Sequence, residues 1–474
     1  MNIVKSNPKV LYVLPFILSW VYWIYLLNTA QMELVFDALG YHDFARQMYQ
    51  QGWLEYFKTG PNREPFYLFL IRFSMQLGDA VAVPYKTIQT FIQILFLFAS
   101  QLLAFRLLKK LRIKPILISL TILYMGFSPA LVNSVFSLFS EIVTYPFILG
   151  IVLVSAQAWQ SLKDCSKGKT IFLGILFGLL FLLATFTKAL IGYVFCLFFI
   201  PFFYILIKAI QARHLRLLQN TSLFILASIV TFNIVMVNFK LMNQKYNGHY
   251  IFADARGYWF LYGSTARRVQ PITPKKFLVA TTTTMGDGFC HSIFSKGECD
   301  YWALGRVDNY GAIKLGELHR SVGEDGINPG LIQATLDDIW AHPFQYPLMT
   351  LVDAARMFFW ESTHLGCVFY PSWLQRIYDF TPFYFSLRGL MAILTILALF
   401  YMAFKIIRER KKLFNLSGSP EEEISILFFA LLMIGEFIIM YSFFYILTRY
   451  MLPIVSLYLV AIAYFLHAIL ESKE

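Results

Sequence analysis

Charge is what this 474-residue chain has least of. Only 14% of its residues are Asp, Glu, Lys or Arg, against about 25% in a soluble globular protein. Hydrophobic residues make up 58% and aromatic ones 18%, and this balance excludes an ordinary water-soluble domain. Cysteine is also sparse, at five residues, and none shows the paired spacing of a zinc site. The chain has no solenoid-type repeat and no sizeable low-complexity tract. No small-residue cleavage site follows the first apolar run, so that run is expected to remain as an uncleaved span.

What fills the chain instead is a series of apolar runs near the ~20 residues that a helix needs to cross a bilayer. Spans are expected at 10–28, 86–107, 115–129, 142–160, 170–186, 189–209, 218–238, 384–406, 424–446 and 449–469. The run 65–77 is too short and too interrupted to cross, and reads as re-entrant or interfacial. The net charge of +12 would suit a nucleic acid, but the cations sit in short connections between spans. They are Arg106, Lys109, Lys110, Arg112 and Lys114; Lys163, Lys167 and Lys169; Lys208, Arg213 and Arg216; and Lys405, Arg408, Arg410, Lys411 and Lys412. Lys and Arg are retained on the cytoplasmic side, so these clusters are orientation marks, with anionic lipid headgroups as further partners and no nucleic acid.

The expected fold is therefore all-α: a polytopic integral membrane protein of about ten transmembrane helices, with external interfacial helices and one large external loop domain. Both termini would face the cytoplasm, in the cytoplasmic (inner) membrane. Residues 1–239 form a transmembrane module with a first external loop at 29–85, residues 240–383 the external loop domain, and residues 384–474 the C-terminal transmembrane helices. Within 240–383 the stretch Thr281–Trp302 reads as the most loop-like part. Cys290 and Cys299 both fall on the outer side, where disulfides persist, and a bridge between them is expected. His291 and Asp300 offer no zinc-ligand spacing. Cys165 and Cys196 are expected to be free, and Cys367 is left unpaired.

The most ordered polar stretch is FDALGYHDFARQMYQQGWLEYFKTGPNREPFY, Phe36 to Tyr67. Wound as a helix at about 100° per residue, it brings Asp37, Tyr41, Phe44 and Met48 to one face and turns Asp43 away. A carboxylate at the rim of an apolar site is a candidate general base; the alternative is that Asp37 caps its helix. Each cation on the same side also has two readings. Lys188 is a ligand or a snorkelling anchor, Arg449 a ligand or a helix-end anchor, and Arg63 a ligand or the partner of Glu64. Glu436, in the middle of the ninth span, marks either a pathway or a hydrogen-bonded carboxyl group facing neighbouring helices. Phe380, Phe383, Tyr384 and Phe385 read as an interfacial aromatic belt.

The pattern Asp37, Tyr41, Asp43, Ala45, Arg46, Met48, followed by Arg63-Glu64-Pro65-Phe66-Tyr67, resembles the first external loop of GT-C superfamily glycosyltransferases. It is most similar to the branch of protein O-mannosyltransferases and aminoarabinose transferase. Glu141 in SEIVTYP, Thr187-Lys188, and Arg449-Tyr450-Met451-Leu452-Pro453 resemble further pieces of the family pattern. The resemblance implies a membrane glycosyltransferase that moves a sugar from a polyprenyl-phosphate donor to a lipid, glycan or protein acceptor at the external face. It implies catalytic roles for Asp37, as base, and Glu141, and substrate-binding roles for Tyr41, Arg63, Glu64, Lys188 and Arg449. Many members carry two adjacent acids in this loop, whereas Ala38 follows Asp37 here. A divalent metal is therefore left open, and no other cofactor is expected. Two rivals remain at this point: a transporter or flippase, and a polysaccharide polymerase or ligase of cell-envelope glycans. A catalytically inactive partner subunit is a further alternative.

Overall fold

The computed structural model describes residues 8–60, 63–252, 256–302, 310–363, 368–414, 421–444 and 448–472. The described chain is almost entirely α-helical, with one short antiparallel pairing of Gln31–Met32 with Val368–Phe369. Among the described residues, nine helices are long and apolar enough to cross a membrane. The protein is thus a multi-pass membrane protein. Pro115–Phe127 and Pro129–Phe136 make a tenth span if counted together, bent by 43°.

The first of these helices lies within the span expected at 115–129, and the bend follows it. Pro129 has no N–H to continue the helix, and it drives the preceding residue out of the α region. Ser128 accordingly caps the second half, its side chain accepting from Leu131 N. The stretch Pro129–Phe136 is a short helix buried along its whole length. Thr281–Trp302 is likewise helical rather than loop-like, in Pro274–Met285, Asp287–Ile293 and Lys296–Trp302. The hydroxyls of Thr281 to Thr284 turn back onto carbonyls three or four residues earlier, which lets so polar a run stay helical. The segment after Leu215–Asn247 also holds a 32-residue helix, Tyr310–Ala341, packed against Arg256–Val269.

Apolar pattern sets the layers. Glu141–Ser161 is the central helix, with 83% of its spanning window buried, while Leu215–Asn247 and Thr381–Leu413 are peripheral at 33%. Large exposed apolar side chains on the outer helices, such as Phe400 and Leu226, face where lipid would lie. Close contacts rely on small residues. Along Lys167–Thr187, Gly174 and Gly178 let the helix meet Leu215–Asn247 directly: a Cβ on them would fall 2.7 Å from the Phe224 carbonyl oxygen and 2.5 Å from that of Ser228. Such small-residue stripes are how helices pack in membranes.

Cys290 and Cys299 are bridged, as expected, and Cys165 and Cys196 are free. Cys367 lies outside the described residues. The cation clusters gather at one end of the bundle, where Lys110 pairs with Glu422 and Lys412 with Glu421.

Candidate functional site

At the opposite end, four segments far apart in sequence meet. Asp37 is the first residue of the helix Asp37–Gln51, but it does not cap it. Phe36 occupies the cap with a positive φ of 50°, and no side-chain capping bond is made. The Asp37 carboxylate is instead held between two arginines. Arg63 Nη2 donates to Oδ1 at 2.7 Å, and Arg449 Nη2 donates to Oδ2. The expected helical face holds: Tyr41 and Met48 are buried, and Asp43 is exposed.

Each arginine is braced by an aromatic ring. Arg63 lies 4.8 Å from the centroid of Tyr41, and Arg449 4.8 Å from Phe139 and 5.4 Å from Tyr450. These cation–π contacts fix the guanidinium planes. The Nε atoms of both arginines are buried and have no hydrogen-bond partner. Neither arginine is a bare helix-end anchor, and Arg63 reaches across the loop to Asp37 rather than to its neighbour Glu64.

Glu64 takes another place. It precedes Pro65, in the extended conformation that proline imposes, and its Oε1 accepts from Ala189 N at 3.0 Å. That bond holds the turn carrying Lys188, which ends the helix Lys167–Thr187 in an extended conformation. Lys188 Nζ then reaches Glu141 Oε1 at 3.0 Å and lies 5.6 Å from the Tyr450 ring centroid. Glu141 opens the central helix and is only 2% exposed, so negative charge sits where the helix dipole favours it. Burial works against the Lys188 charge, but Glu141 and the neighbouring tyrosines outweigh it and raise the ammonium well above its ordinary range.

Tyr41 joins the two pairs. Its hydroxyl lies 3.1 Å from Ser140 Oγ, next to Glu141, and its ring packs edge-on against Tyr67. Burial raises the Tyr41 hydroxyl above its usual pKa. Tyr450 lies beneath both Lys188 and Arg449. The seven residues to which the resemblance gave catalytic or binding roles thus meet in one constellation of alternating charge: Asp37 between Arg63 and Arg449, and Glu141 with Lys188. Among the described residues, no three His, Cys, Asp or Glu side chains come together as ligands of a metal would.

Glu436 lies apart from this group. It is 6% exposed within Glu422–Phe443, and its Oε2 has no hydrogen-bond partner. One structural carboxylate gave no signal in the sequence. Glu361 is fully buried and accepts from Ser128 Oγ at 2.7 Å, Ala130 N at 2.9 Å, Ser362 N at 3.1 Å and Tyr124 Oη at 2.5 Å. It fastens the loop before Thr381–Leu413 to the bend at Pro129. No pattern at Glu361 itself could have revealed this, because three of its four partners lie over 230 residues away.

No known protein family matches the chain, and no curated protein matches it in sequence. Among solved structures it is similar to apo ArnT from Cupriavidus metallidurans, at 12% identity and a TM-score of 0.32. The match covers 91% of this chain and 77% of that one.

Proposed function

We propose that the protein is a GT-C-type membrane glycosyltransferase, moving a sugar from a polyprenyl-phosphate donor to an acceptor hydroxyl at the external face of the cytoplasmic membrane. The observation that carries this is the bridging of Asp37 by Arg63 and Arg449, beside the Glu141–Lys188 pair. The external placement rests on the basic clusters, which lie at the other end of the bundle and mark the cytoplasmic side.

The chemistry follows from charge exchange. A donor phosphate brings an anion that competes with Asp37 for two guanidinium groups built to hold oxyanions in bidentate fashion. Once displaced, Asp37 is a carboxylate beside the reacting sugar, able to take the acceptor proton. The acceptor oxygen bonds to the anomeric carbon as the bond from that carbon to the phosphate oxygen breaks. The leaving polyprenyl phosphate keeps the electron pair, and Arg63, Arg449 and Lys188 stabilise its charge. No second acid is needed, because an ion-paired phosphate leaves without protonation. Glu141 orients the acceptor and keeps Lys188 in place, Glu64 holds the backbone of that turn, and Tyr41 supports Arg63.

The test is transfer of labelled sugar from a polyprenyl-phosphate donor in membranes containing Asp37→Asn. The expected loss is about 10²- to 10⁴-fold, the range for a general base. Undiminished transfer in that variant would remove Asp37 as the base.

A further inference from the structure

A second set of cations lies outside this site. Arg267 and Arg268 come from Arg256–Val269, Arg356 from the short turn Arg356–Phe358, and Arg388 from the start of Thr381–Leu413. None is more than 6% exposed. Among the described residues, one buried carboxylate meets Arg267 and Arg268: Asp353, whose Oδ2 accepts from Arg267 Nη2 and, at 2.8 Å, from Arg268 Nε. Asp287 adds a negative charge only from an exposed position. Among the described residues, Arg267, Arg268 and Arg356 therefore have one buried carboxylate between them.

The other hydrogen bonds of Arg267, Arg268 and Arg356 among the described residues go to neutral oxygens. Arg267 Nη1 donates to Trp302 O at 3.4 Å, Arg268 Nη2 to Phe444 O at 3.2 Å, and Arg356 Nη2 to Thr283 O at 2.8 Å. Arg267 Nε, Arg268 Nη1 and Arg356 Nε are buried with no partner, and so are the hydroxyls of Thr265 and Tyr346 nearby in the same segment. Burial depresses Arg356, with Asp287 only partly opposing it. Buried guanidinium groups without a full set of anions are costly, and orphaned donors gathered in one place mark where an ion or water belongs. A purely structural role is the competing explanation, with Asp353 as a rivet between Arg256–Val269 and Gln345–Ala355.

We propose that the cluster of Arg267, Arg268 and Arg356 is a binding site for a phosphate-class oxyanion, separate from the Asp37 constellation. Planar guanidinium forks match phosphate oxygens in pairs, and Tyr346, whose hydroxyl is unpartnered, has its ring centroid 5.7 Å from the Arg268 guanidinium carbon. Two sources share this chemistry, a free phosphate and a lipid headgroup. The second is within reach because Phe444, bonded by Arg268, directly follows the spanning helix Glu422–Phe443.

The experiment uses the full chain in detergent, in an Arg63→Gln/Arg449→Gln background that removes the first site's arginines. Thermal unfolding and calorimetry are followed against inorganic phosphate and, separately, dodecyl phosphate in mixed micelles. A saturable rise in Tm is expected, with affinity falling at least tenfold in Arg356→Gln and less in Arg356→Lys. A response to inorganic phosphate identifies a site that accepts the free anion, and a response to dodecyl phosphate alone identifies a headgroup site. Asp353→Asn frees two guanidinium groups, so its lowered Tm should be restored by the ligand. That arm carries the test if Arg356→Gln does not fold. The proposal is overturned by no saturable response to either probe, by a response that Arg356→Gln leaves unchanged, or by an Asp353→Asn variant that neither ligand restores.

Discussion

Lys188 and Glu141 show at the residue scale how little freedom the candidate site has. Glu141 is 2% exposed and Lys188 is its cation, so Lys188→Met leaves a buried carboxylate without its counter-charge. Removing one partner of such a pair costs about 3 kcal/mol or more. The double variant Lys188→Met/Glu141→Gln should recover most of that stability, because no unpaired charge remains. Thermal unfolding of the two singles and the double measures the coupling. Under the proposed function the double variant stays inactive in sugar transfer although it is stable, which separates folding from chemistry. Arg449→Lys is expected to fold but to lose at least tenfold in transfer, since an ammonium cannot present a planar fork; donor saturation curves in membranes would show it.

Elements place these residues, and their packing is where glycine matters. The crossing of Lys167–Thr187 with Leu215–Asn247 sets the height of Lys188, and Gly178 allows the approach. Gly178→Val is expected to cost about 1–3 kcal/mol through overpacking and to reduce transfer by moving Lys188. Gly168→Ala, where an added Cβ meets nothing within 4 Å, is the matching control and should leave Tm unchanged or slightly higher. Differential scanning of both variants in detergent decides the point. The same scale shows what the sequence could not disclose about Thr281–Trp302. Its threonines and glycines match loop composition, yet hydroxyl-to-carbonyl bonds along the chain and burial of Cys290, Cys299 and Trp302 against Val279 and Met349 make it helical.

For the whole molecule, the arginine cluster around Asp353 ties the segment after Leu215–Asn247 to the spanning helices, and it carries a pH signature. Burial alone would raise Asp353, but Arg267 and Arg268 outweigh it and hold the carboxyl at about 2. A carboxyl depressed from about 3.9 in the unfolded chain stabilises the fold above about pH 4, and this contribution is lost as pH falls towards 2. Asp353→Asn should therefore be less stable than the parent at pH 6, with the gap closing between about pH 4 and 2 in unfolding scans. In the same segment, the double variant Cys290→Ser/Cys299→Ser opens a bridge across nine residues of sequence separation. It is expected to lose about 2–3 kcal/mol by the chain-entropy relation, read as a lower Tm that reductant no longer shifts.

The sequence by itself determined the class of fold, because apolar runs of bilayer length leave no soluble alternative and their count needs no long-range information. The seven polar residues of the candidate site were marked by the resemblance of their local motifs to a family pattern, and Asp37 also by its place on the packed face of its helix. Only the tertiary structure decided their pairing. Arg63 could have met Glu64, and Asp37 could have capped its helix, but Arg449, 412 residues further on, claims one oxygen of Asp37. The four-bond seat of Glu361, the bend at Pro129 and the buried arginines around Asp353 were equally hidden. Each depends on which helix ends meet, and that is set by side-chain packing between segments that no local pattern connects.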